Sequence, residues 1–314
     1  MEINEIKNVM VVGAGTMGHA IAQVYAQHGF NVFLIDLDQK KLDHALKLIQ
    51  SNLELLIEHN KLSEGMPSIL NRIHISTKIE EIATKANLVI EAVNEVPEMK
   101  RRVFKQLDKF CNQDTILVSN TSGLNIFEIT DISNPERLVI HHWFCPAYIM
   151  PLVEIVPGAS TSSEVIDLSV ELMKILGKKP ILLKEYVDNF IVNRIQRVVM
   201  VQTWEMLQRG WITPEQIDYA VKTVLGVRLP IQGIVQSQDF TGLDLILDKQ
   251  KEFGTNKRYP QVQELVEQGN LGVKSGKGFY NYGDRTELEI LRKRDELCLK
   301  MLDYLEQLRL FDPL

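Results

Sequence analysis

Three glycines near the start of the chain have the spacing G-x-G-x-x-G, in the segment VVGAGTMG. Gly13 and Gly15 follow a short β-branched run, and Gly18 lies in the first turn of a helical pattern that begins with Thr16 and Met17. Glycine permits a tight turn and a close approach of a pyrophosphate to the backbone, while free N–H groups at the start of the helix bind phosphate charge. In this context the spacing predicts a dinucleotide site.

The charge at the end of the second strand-like run distinguishes between two dinucleotides. Asp36 ends the run NVFLID, and Leu37 and Asp38 rather than an arginine follow it. A carboxylate at this place accepts hydrogen bonds from the adenosine ribose hydroxyls and repels a 2′-phosphate. We therefore predict NAD, rather than NADP, as the cofactor.

A redox cofactor requires a group that handles a proton, and one histidine lies where ligands of open α/β sheets bind. His142 ends the run RLVIHH, and such ligands bind at the carboxyl ends of the strands. Glu154 interrupts the apolar run PLVEIV, where an unpaired carboxylate is costly to bury. The two residues predict a histidine base that a carboxylate orients. The alternative, a structural histidine and a glutamate on an exposed strand face, stays open on sequence position alone.

Two further polar residues have both a functional and a structural interpretation. Ser122 belongs to SNTSGL, which follows the strand-like run TILV, so its hydroxyl is expected at the same sheet edge. Asn193 lies in the apolar helical pattern NFIVNRIQRVVM, at the predicted junction between two domains. The simpler interpretations are helix capping for Ser122 and a buried hydrogen bond for Asn193.

The apolar pattern predicts the elements that position these residues. Up to about residue 185, strand-like runs alternate with helical ones, which indicates an α/β, Rossmann-type doubly wound parallel sheet. Beyond that point strands stop, which indicates an all-α C-terminal domain. We predict an NAD-binding domain over 1–186 and an all-helical domain over 187–314, to which the family resemblance described below assigns substrate binding and dimerisation. The predicted strands are 9–12, 31–36, 88–92, 115–120, 138–142, 152–156 and 180–183, and the predicted helices are 16–27, 39–60, 97–110, 163–176, 189–209, 214–225, 243–253, 261–268 and 287–308.

Composition excludes several other classes of protein. The 314 residues carry a formal net charge of −6, which argues against a nucleic-acid or membrane partner. The 3 cysteines have neither a disulfide pattern nor metal-ligand spacing, so we expect no metal site and a reducing, cytoplasmic compartment. The charge-free run from Asn8 to Ile35 is long enough to span a bilayer. Its glycines, glutamines and asparagines indicate instead the buried start of a parallel sheet.

Seven segments together resemble the NAD-dependent L-3-hydroxyacyl-CoA dehydrogenases, and the resemblance covers almost the whole chain. The segments are VVGAGTMG, VIEAVNE, SNTSGL, HWFCP, PLVE, FIVNR and SGKGFY. The resemblance implies a Rossmann-type domain followed by an all-helical domain that forms a homodimer. It also implies oxidation of a short-chain substrate such as 3-hydroxybutyryl-CoA by NAD, in fatty acid metabolism.

The same resemblance assigns roles to individual residues. It implies that His142 is the catalytic base, that Glu154 orients it, and that Ser122 and Asn193 contact the reacting oxygen. The residues that it implies in contact with NAD are Asp36, Glu95, Lys100 and Lys274. The residues that it implies in contact with the substrate are Ser51, Lys61, Ser122 and Asn193.

Two departures from the family pattern bear on the substrate. Cys145 stands where the family's HxFNP segment has asparagine, and lysines that hold the CoA phosphate are few, with Glu58 and His59 before Lys61. The segment AYIMPLVEIVPG and the tail beyond SGKGFYNY also resemble the branch of carnitine dehydrogenases and of gulonate dehydrogenases related to lambda-crystallin. A dehydrogenase of a free 3-hydroxy acid, or a diketo reductase, is therefore the alternative activity. A non-catalytic NAD-binding protein is the second alternative.

Overall fold

One sheet contains the strands of the part of the chain that the structure describes, which is residues 2–252 and 259–312 of a computed structural model. Every strand except β3 coincides with a predicted strand-like run. The strands are β1 Asn8–Val12, β2 Asn31–Ile35, β3 Ile73–Ser76, β4 Leu88–Glu91, β5 Ile116–Ser119, β6 Leu138–Trp143, β7 Leu152–Pro157 and β8 Lys179–Leu182. The short sequence of β3, IHIS, has no strong pattern of its own, and parallel pairing of Ile73 with Val32 places it in the sheet.

The order of the strands is that of a doubly wound sheet with two strands added at one edge. It runs β3-β2-β1-β4-β5-β6-β7-β8. The first six strands are parallel. The order of winding reverses between β1 and β4, and such a switch point is where open α/β sheets bind ligands. The predicted Rossmann-type fold is confirmed.

The last two strands depart from an all-parallel sheet. β7 is antiparallel to β6, and β8 is parallel to β7. The connection between β6 and β7 consists of residues 144–151, whereas a parallel crossover requires about a dozen residues or more. The short connection reverses the chain, and it places His142 directly opposite Glu154 on the neighbouring strand.

Helices cover both faces of the sheet. The helices of this part of the chain are α1 Thr16–Gln27, α2 Gln39–Glu58, α3 Met66–Leu70, α4 Pro97–Phe110, α5 Ile126–Ile129 and α6 Ser163–Ile175. Alternate side chains of a strand enter different cores, so Val9 and Val11 pack in one cluster and Met10 packs in the other with Phe104 of α4. Because helices cover both faces of the sheet, its central strands are buried, which explains why the run from Asn8 to Ile35 carries no charged residues. Among the described residues, no helix combines the length and the apolar composition needed to cross a bilayer.

The chain divides into two compact units, Met1–Val199 and Met200–Leu314. The second is helical within its described residues, as predicted. The helices from the division onward are α7 Val192–Gln208, which contains it, α8 Pro214–Ala220, α9 Gly226–Gln232, α10 Gln236–Thr241, α11 Leu243–Glu252, α12 Pro260–Glu267 and α13 Glu287–Gln307. The predicted helix 214–225 ends its α-helical part at Ala220, and a π-helical turn over Val221–Leu225 joins it to α9. Residue 253, the end of another predicted helix, lies outside the described residues.

Candidate active site

The glycine-rich turn joins β1 to α1, and each of its three glycines has a different environment. A Cβ atom on Gly13, whose φ is 109°, would lie 2.5 Å from the Ala92 carbonyl oxygen, and one on Gly18 would lie 1.7 Å from the Gly13 oxygen. A Cβ atom on Gly15 would meet no atom within 4 Å. Gly15 is also the N-cap of α1, so no side chain occupies the first N–H groups of the helix. Open space and free donors are therefore present together, as a pyrophosphate requires.

Alanine at these glycines is expected to separate folding from cofactor binding. Gly18→Ala must displace backbone and is expected to lower the free energy of unfolding by about 1–3 kcal/mol. Gly15→Ala is expected to keep the wild-type Tm but to weaken NADH binding by roughly tenfold, about one hydrogen bond to a charged group. Thermal unfolding and NADH fluorescence titration measure the two effects. Wild-type NADH affinity in Gly15→Ala would contradict a pyrophosphate at this turn.

Asp36 lies directly beyond β2, beside the glycine-rich turn. Its Oδ2 accepts a hydrogen bond from the Ala14 N–H at 3.0 Å, and its Oδ1 accepts one from the Asp38 N–H at 3.1 Å. The Gly13 N–H donates to the Ile35 carbonyl oxygen at 2.7 Å, which fixes the turn against the end of β2. The turn and the carboxylate are thus held together at the carboxyl edge of the sheet, an arrangement that fits the pyrophosphate and adenosine ribose of a dinucleotide.

Lys100 is buried between two carboxylates. Its Nζ lies 2.8 Å from Oε1 of Glu91 and 3.1 Å from Oε2 of Glu95. Glu91 is fully buried at the end of β4 and also accepts a hydrogen bond from the Ser119 hydroxyl at 2.6 Å. Glu91 was not predicted as a site residue, although a carboxylate inside the apolar run LVIEA is the same signal that pointed to Glu154.

Glu95 extends this network to Ser122. Its Oε1 accepts hydrogen bonds from the Ser122 N–H at 2.8 Å and from the Thr121 hydroxyl at 2.5 Å. Partial burial raises the pKa of Glu95, but the Lys100 charge and these hydrogen bonds outweigh that effect and hold the pKa below its usual value. The Asn193 side-chain amide donates to the Ser122 carbonyl oxygen at 3.0 Å. The structure therefore brings Glu95, Lys100, Ser122 and Asn193 into one cluster.

His142 and Glu154 form a buried hydrogen-bonded pair. His142 Nδ1 lies 2.6 Å from Glu154 Oε2, and the two residues are 5% and 0% exposed. Glu154 Oε1 accepts hydrogen bonds from the backbone N–H groups of Ile191 at 3.0 Å and Val192 at 2.9 Å. Because a carboxylate only accepts, the hydrogen is assigned to Nδ1, and Nε2 keeps its lone pair. Nε2 has no hydrogen-bond partner among the described residues.

Two aromatic rings hold the His142 imidazole. The centroids of the Phe144 and Phe190 rings lie 4.5 and 5.2 Å from the imidazole centroid. Asn189 and Phe190 have φ values of 61° and 51°, a region that residues other than glycine rarely adopt. This turn directs the next two backbone N–H groups onto the carboxylate that orients the histidine.

The other predicted ligand residues are Ser51 and Lys61 in the first unit and Lys274 in the second. Ser51 is exposed on α2, Lys61 is exposed beyond its end, and neither side chain has a partner among the described residues. Lys274 belongs to the second unit, where its ammonium group pairs with Asp244 at 2.5 Å. The glycine-rich loop around Lys274 is fixed by the buried Asp239, whose carboxylate accepts two of the loop's N–H groups at 2.9 and 3.0 Å.

The histidine next to His142 has a different environment. His141 is fully buried, and burial lowers its pKa to about 3, so it is neutral at physiological pH. It therefore does not exchange a proton near neutral pH. Within the part of the chain that the structure describes, no cluster of His, Cys, Asp and Glu side chains could hold a metal ion.

Comparison with known proteins decides the family. The NAD binding domain of 3-hydroxyacyl-CoA dehydrogenase matches residues 8–186, and the C-terminal domain of the same enzyme matches residues 190–282. The chain belongs to the 3-hydroxyacyl-CoA dehydrogenase family. It is an NAD-dependent oxidoreductase, which confirms the family and the cofactor predicted from the sequence.

Individual family members align over most of their length. The chain is 36% identical to a probable 3-hydroxybutyryl-CoA dehydrogenase of Bacillus subtilis, covering 90% of this chain and 99% of that protein. It is 35% identical to a 3-hydroxybutyryl-CoA dehydrogenase of Clostridioides difficile, covering 87% of this chain and 98% of that protein. The crystal structure of the 3-hydroxyacyl-CoA dehydrogenase of Archaeoglobus fulgidus superimposes with a TM-score of 0.80 at 29% identity, covering 96% of this chain and 99% of that one.

Proposed function

We propose that this enzyme oxidises L-3-hydroxyacyl-CoA thioesters with NAD, and that its substrates are short-chain ones such as 3-hydroxybutyryl-CoA. The observation that carries the proposal is the buried His142–Glu154 pair, in which Nε2 keeps a lone pair for the substrate hydroxyl. The names of the relatives from B. subtilis and C. difficile support the short chain. Fatty acid metabolism is the process that we propose for it.

His142 acts as the base in this reaction. Its Nε2 accepts the proton of the substrate's C3 hydroxyl, while Glu154 accepts the Nδ1–H hydrogen bond, keeps the imidazole in the required tautomer and stabilises the imidazolium. Bound NAD would supply the acceptor for the hydride of C3, and the residues that would hold it are those of the glycine-rich turn and Asp36. A positioned base of this kind contributes about 10²–10⁴-fold to the rate.

Ser122 and Asn193 contact the reacting oxygen in this proposal. Asn193 donates to the Ser122 carbonyl oxygen, and Glu95 accepts the Ser122 N–H, so the serine is held from two sides. The Ser122 hydroxyl also donates to Glu95 Oε1 at 3.2 Å, so it must turn from this carboxylate to the substrate oxygen to stabilise the developing polar C–O bond, whereas Asn193 can use its second amide hydrogen.

The NAD and the CoA moiety would be held by two groups of residues. The NAD contacts that we propose come from Gly13, Gly15, Thr16, Met17, Gly18, Asp36, Glu95, Lys100 and Lys274. The CoA contacts come from Ser51 and Lys61, whose exposed side chains are available to a phosphate. Cys145 is exposed and replaces the family asparagine, so a hydrogen bond on the cofactor side is absent or weaker.

A panel of substrates tests the proposal. Acetoacetyl-CoA is expected to oxidise NADH, and 3-hydroxybutyryl-CoA to reduce NAD in preference to NADP. Free 3-hydroxybutyrate, gulonate and carnitine serve as the matched substrates without CoA. If the protein turns over a free acid but does not turn over acetoacetyl-CoA, the proposal is wrong and the free-acid alternative replaces it. NAD binding without turnover of any of these compounds would indicate a non-catalytic protein.

We further propose a homodimer formed by the helical domain, a domain division after residue 186, and a cytoplasmic location. The matched segments 8–186 and 190–282 support the division, and bacterial relatives support the location. Trp211, Leu288 and Leu299 of the second unit are 67%, 75% and 63% exposed, which favours a partner surface. Light scattering tests the dimer, because a single species at the chain mass of 35.9 kDa would contradict it.

A further inference from the structure

Lys178 lies just before β8, and its ammonium group is buried. The residue is 9% exposed, and its Nζ donates hydrogen bonds to the carbonyl oxygens of Ala147 at 2.6 Å and Met150 at 2.9 Å. It also lies 5.2 Å from the centroid of the Trp143 ring, within cation–π range. All three contacts lie in, or directly before, the connection between β6 and β7.

That connection joins the strand of the proposed base to the strand of its orienting carboxylate. His142 is next to last in β6, and Glu154 is third in β7, directly opposite it. In a hairpin the shape of the connection sets the register of the two strands. Lys178 holds two carbonyl groups of this connection from outside the hairpin, and β8, which starts at the next residue, pairs with β7.

Burial of the Lys178 ammonium group without an ion-pair partner is unfavourable for folding. Among the described residues, Lys178 has no carboxylate within ion-pair distance, and burial lowers its pKa to about 8. Since this pKa is below that of an unfolded lysine, the charge reduces folding stability at neutral pH, and stability is regained as the pH rises above about 8. A buried charge that is costly to keep, and that holds the connection beside His142, points to a role in the site rather than in folding.

We propose that Lys178 is a positioning residue, which holds the β6–β7 connection so that His142 and Glu154 stay in reactive register. It does not touch the substrate, and it acts through the carbonyl groups of Ala147 and Met150. This inference rests on the proposed dehydrogenase activity. A displacement of about 1 Å at a reacting group costs on the order of 10²-fold in rate, so loss of the clamp is expected to lower kcat rather than NADH affinity.

Protonation of Lys178 strengthens the clamp. A charged donor makes hydrogen bonds about twice as strong as a neutral one, and only the charged form attracts the Trp143 ring. The groups in contact with its Nζ are the Ala147 and Met150 carbonyl oxygens and the Trp143 ring, and α6 packs on β6, β7 and β8 beside it. The titratable groups of these segments are His141 and His142 on β6, Cys145 and Tyr148 in the connection, Glu154 on β7, Lys179 on β8, and Glu164, Asp167, Glu171 and Lys174 on α6. Burial is the cause of the lowered pKa of Lys178.

Two substitutions and one control test the role. Lys178→Met removes the donor while keeping the length of the side chain, Lys178→Arg keeps the charge at every accessible pH, and Lys174→Met removes the same charge from an exposed position on α6. For each protein, kcat and KM are measured with acetoacetyl-CoA between pH 6 and pH 10, together with Tm and the Kd for NADH. In the reverse direction, 3-hydroxybutyryl-CoA oxidation is followed over the same range.

We expect Lys178→Met to lower kcat by roughly 10–100-fold with the Kd for NADH within twofold of wild type. Wild-type kcat for oxidation is expected to decline with an apparent pKa of about 8, and that decline is expected to be absent in Lys178→Arg, which recovers part of the neutral rate. Full kcat in Lys178→Met, or the same alkaline decline in Lys178→Arg, would overturn the inference. If Lys178→Met does not fold, the wild-type and Lys178→Arg profiles decide. An inactive wild-type protein would instead refute the proposed function.

Discussion

Replacement of His142 with glutamine is expected to lower kcat by about 10²–10⁴-fold while NADH binds with nearly wild-type affinity. Glutamine has similar polarity and reach, but neither of its terminal atoms takes up a proton near neutral pH. The glycine-rich turn and Asp36 are untouched, because they lie at the other side of the switch point, on β1 and β2. The change therefore removes the proton acceptor and leaves the cofactor site intact.

Steady-state kinetics with acetoacetyl-CoA and NADH fluorescence titration measure the two quantities. His74→Gln is the matched control, because His74 is exposed on β3 at the opposite edge of the sheet. We expect this control to keep the wild-type kcat. If His142→Gln turns over within tenfold of wild type, His142 is not the base, and the proton must be taken up by another group.

The positions of the residues at the glycine-rich turn could be predicted from sequence because they depend on local structure. Gly13, Gly15, Gly18 and Asp36 act through a turn and the strand ends beside it, and the structure places them at neighbouring carboxyl edges of β1 and β2. Residues that are close in sequence at such a turn are also close in the folded protein, so their spacing in the sequence predicts their positions. The helices α1 and α4 coincide with their predicted bounds for the same reason.

The contacts of the proposed catalytic residues could be identified only from the folded structure. His142 and Glu154 could be predicted as a pair from their residue types, but the expected parallel sheet does not explain how residues twelve positions apart come to face each other. Antiparallel pairing of β6 and β7 sets the contact, and the left-handed turn at Asn189 and Phe190 supplies the two N–H donors to the carboxylate. No local pattern encodes that turn, because neither residue is glycine.

Glu91 was missed for a different reason. Its segment VIEA is typical of a buried strand, and the role of a buried carboxylate can be inferred only when the residue that pairs with it is known. That residue, Lys100, lies on α4 and reaches Glu91 across the β4–α4 connection. The pair links the end of β4 to Glu95, and Glu95 in turn fixes Ser122, so the network joins the proposed cofactor contacts to the proposed substrate contacts.

Replacement of Glu154 with glutamine has the second large expected effect, a decrease of kcat of about 10²–10⁴-fold, comparable to loss of the orienting carboxylate in a catalytic triad. If the amide oxygen keeps the N–H groups of Ile191 and Val192, the NH₂ group faces His142 Nδ1 and donates to it. The histidine then carries its hydrogen on Nε2, which can no longer accept a proton. If the amide is flipped, its NH₂ group faces two N–H donors, and those donors lose their partner.

Stability and kinetics together distinguish the two orientations. The flipped amide leaves buried donors unpaired and is expected to lower the free energy of unfolding by about 1–3 kcal/mol, whereas the first orientation lowers kcat at a nearly unchanged Tm. Glu171→Gln on the exposed face of α6 is the matched control and is expected to leave both unchanged.

The double variant His142→Gln, Glu154→Gln tests whether the pair acts as one unit. Because Glu154 is proposed to act only through His142, the double variant is expected to be no slower than His142→Gln alone. Rate losses that multiply, or a kcat of Glu154→Gln within tenfold of wild type, would mean that the carboxylate does not work through the histidine. In that case the hydrogen bond of 2.6 Å between them would be a structural contact, and the base would have to be oriented by the rings of Phe144 and Phe190 alone.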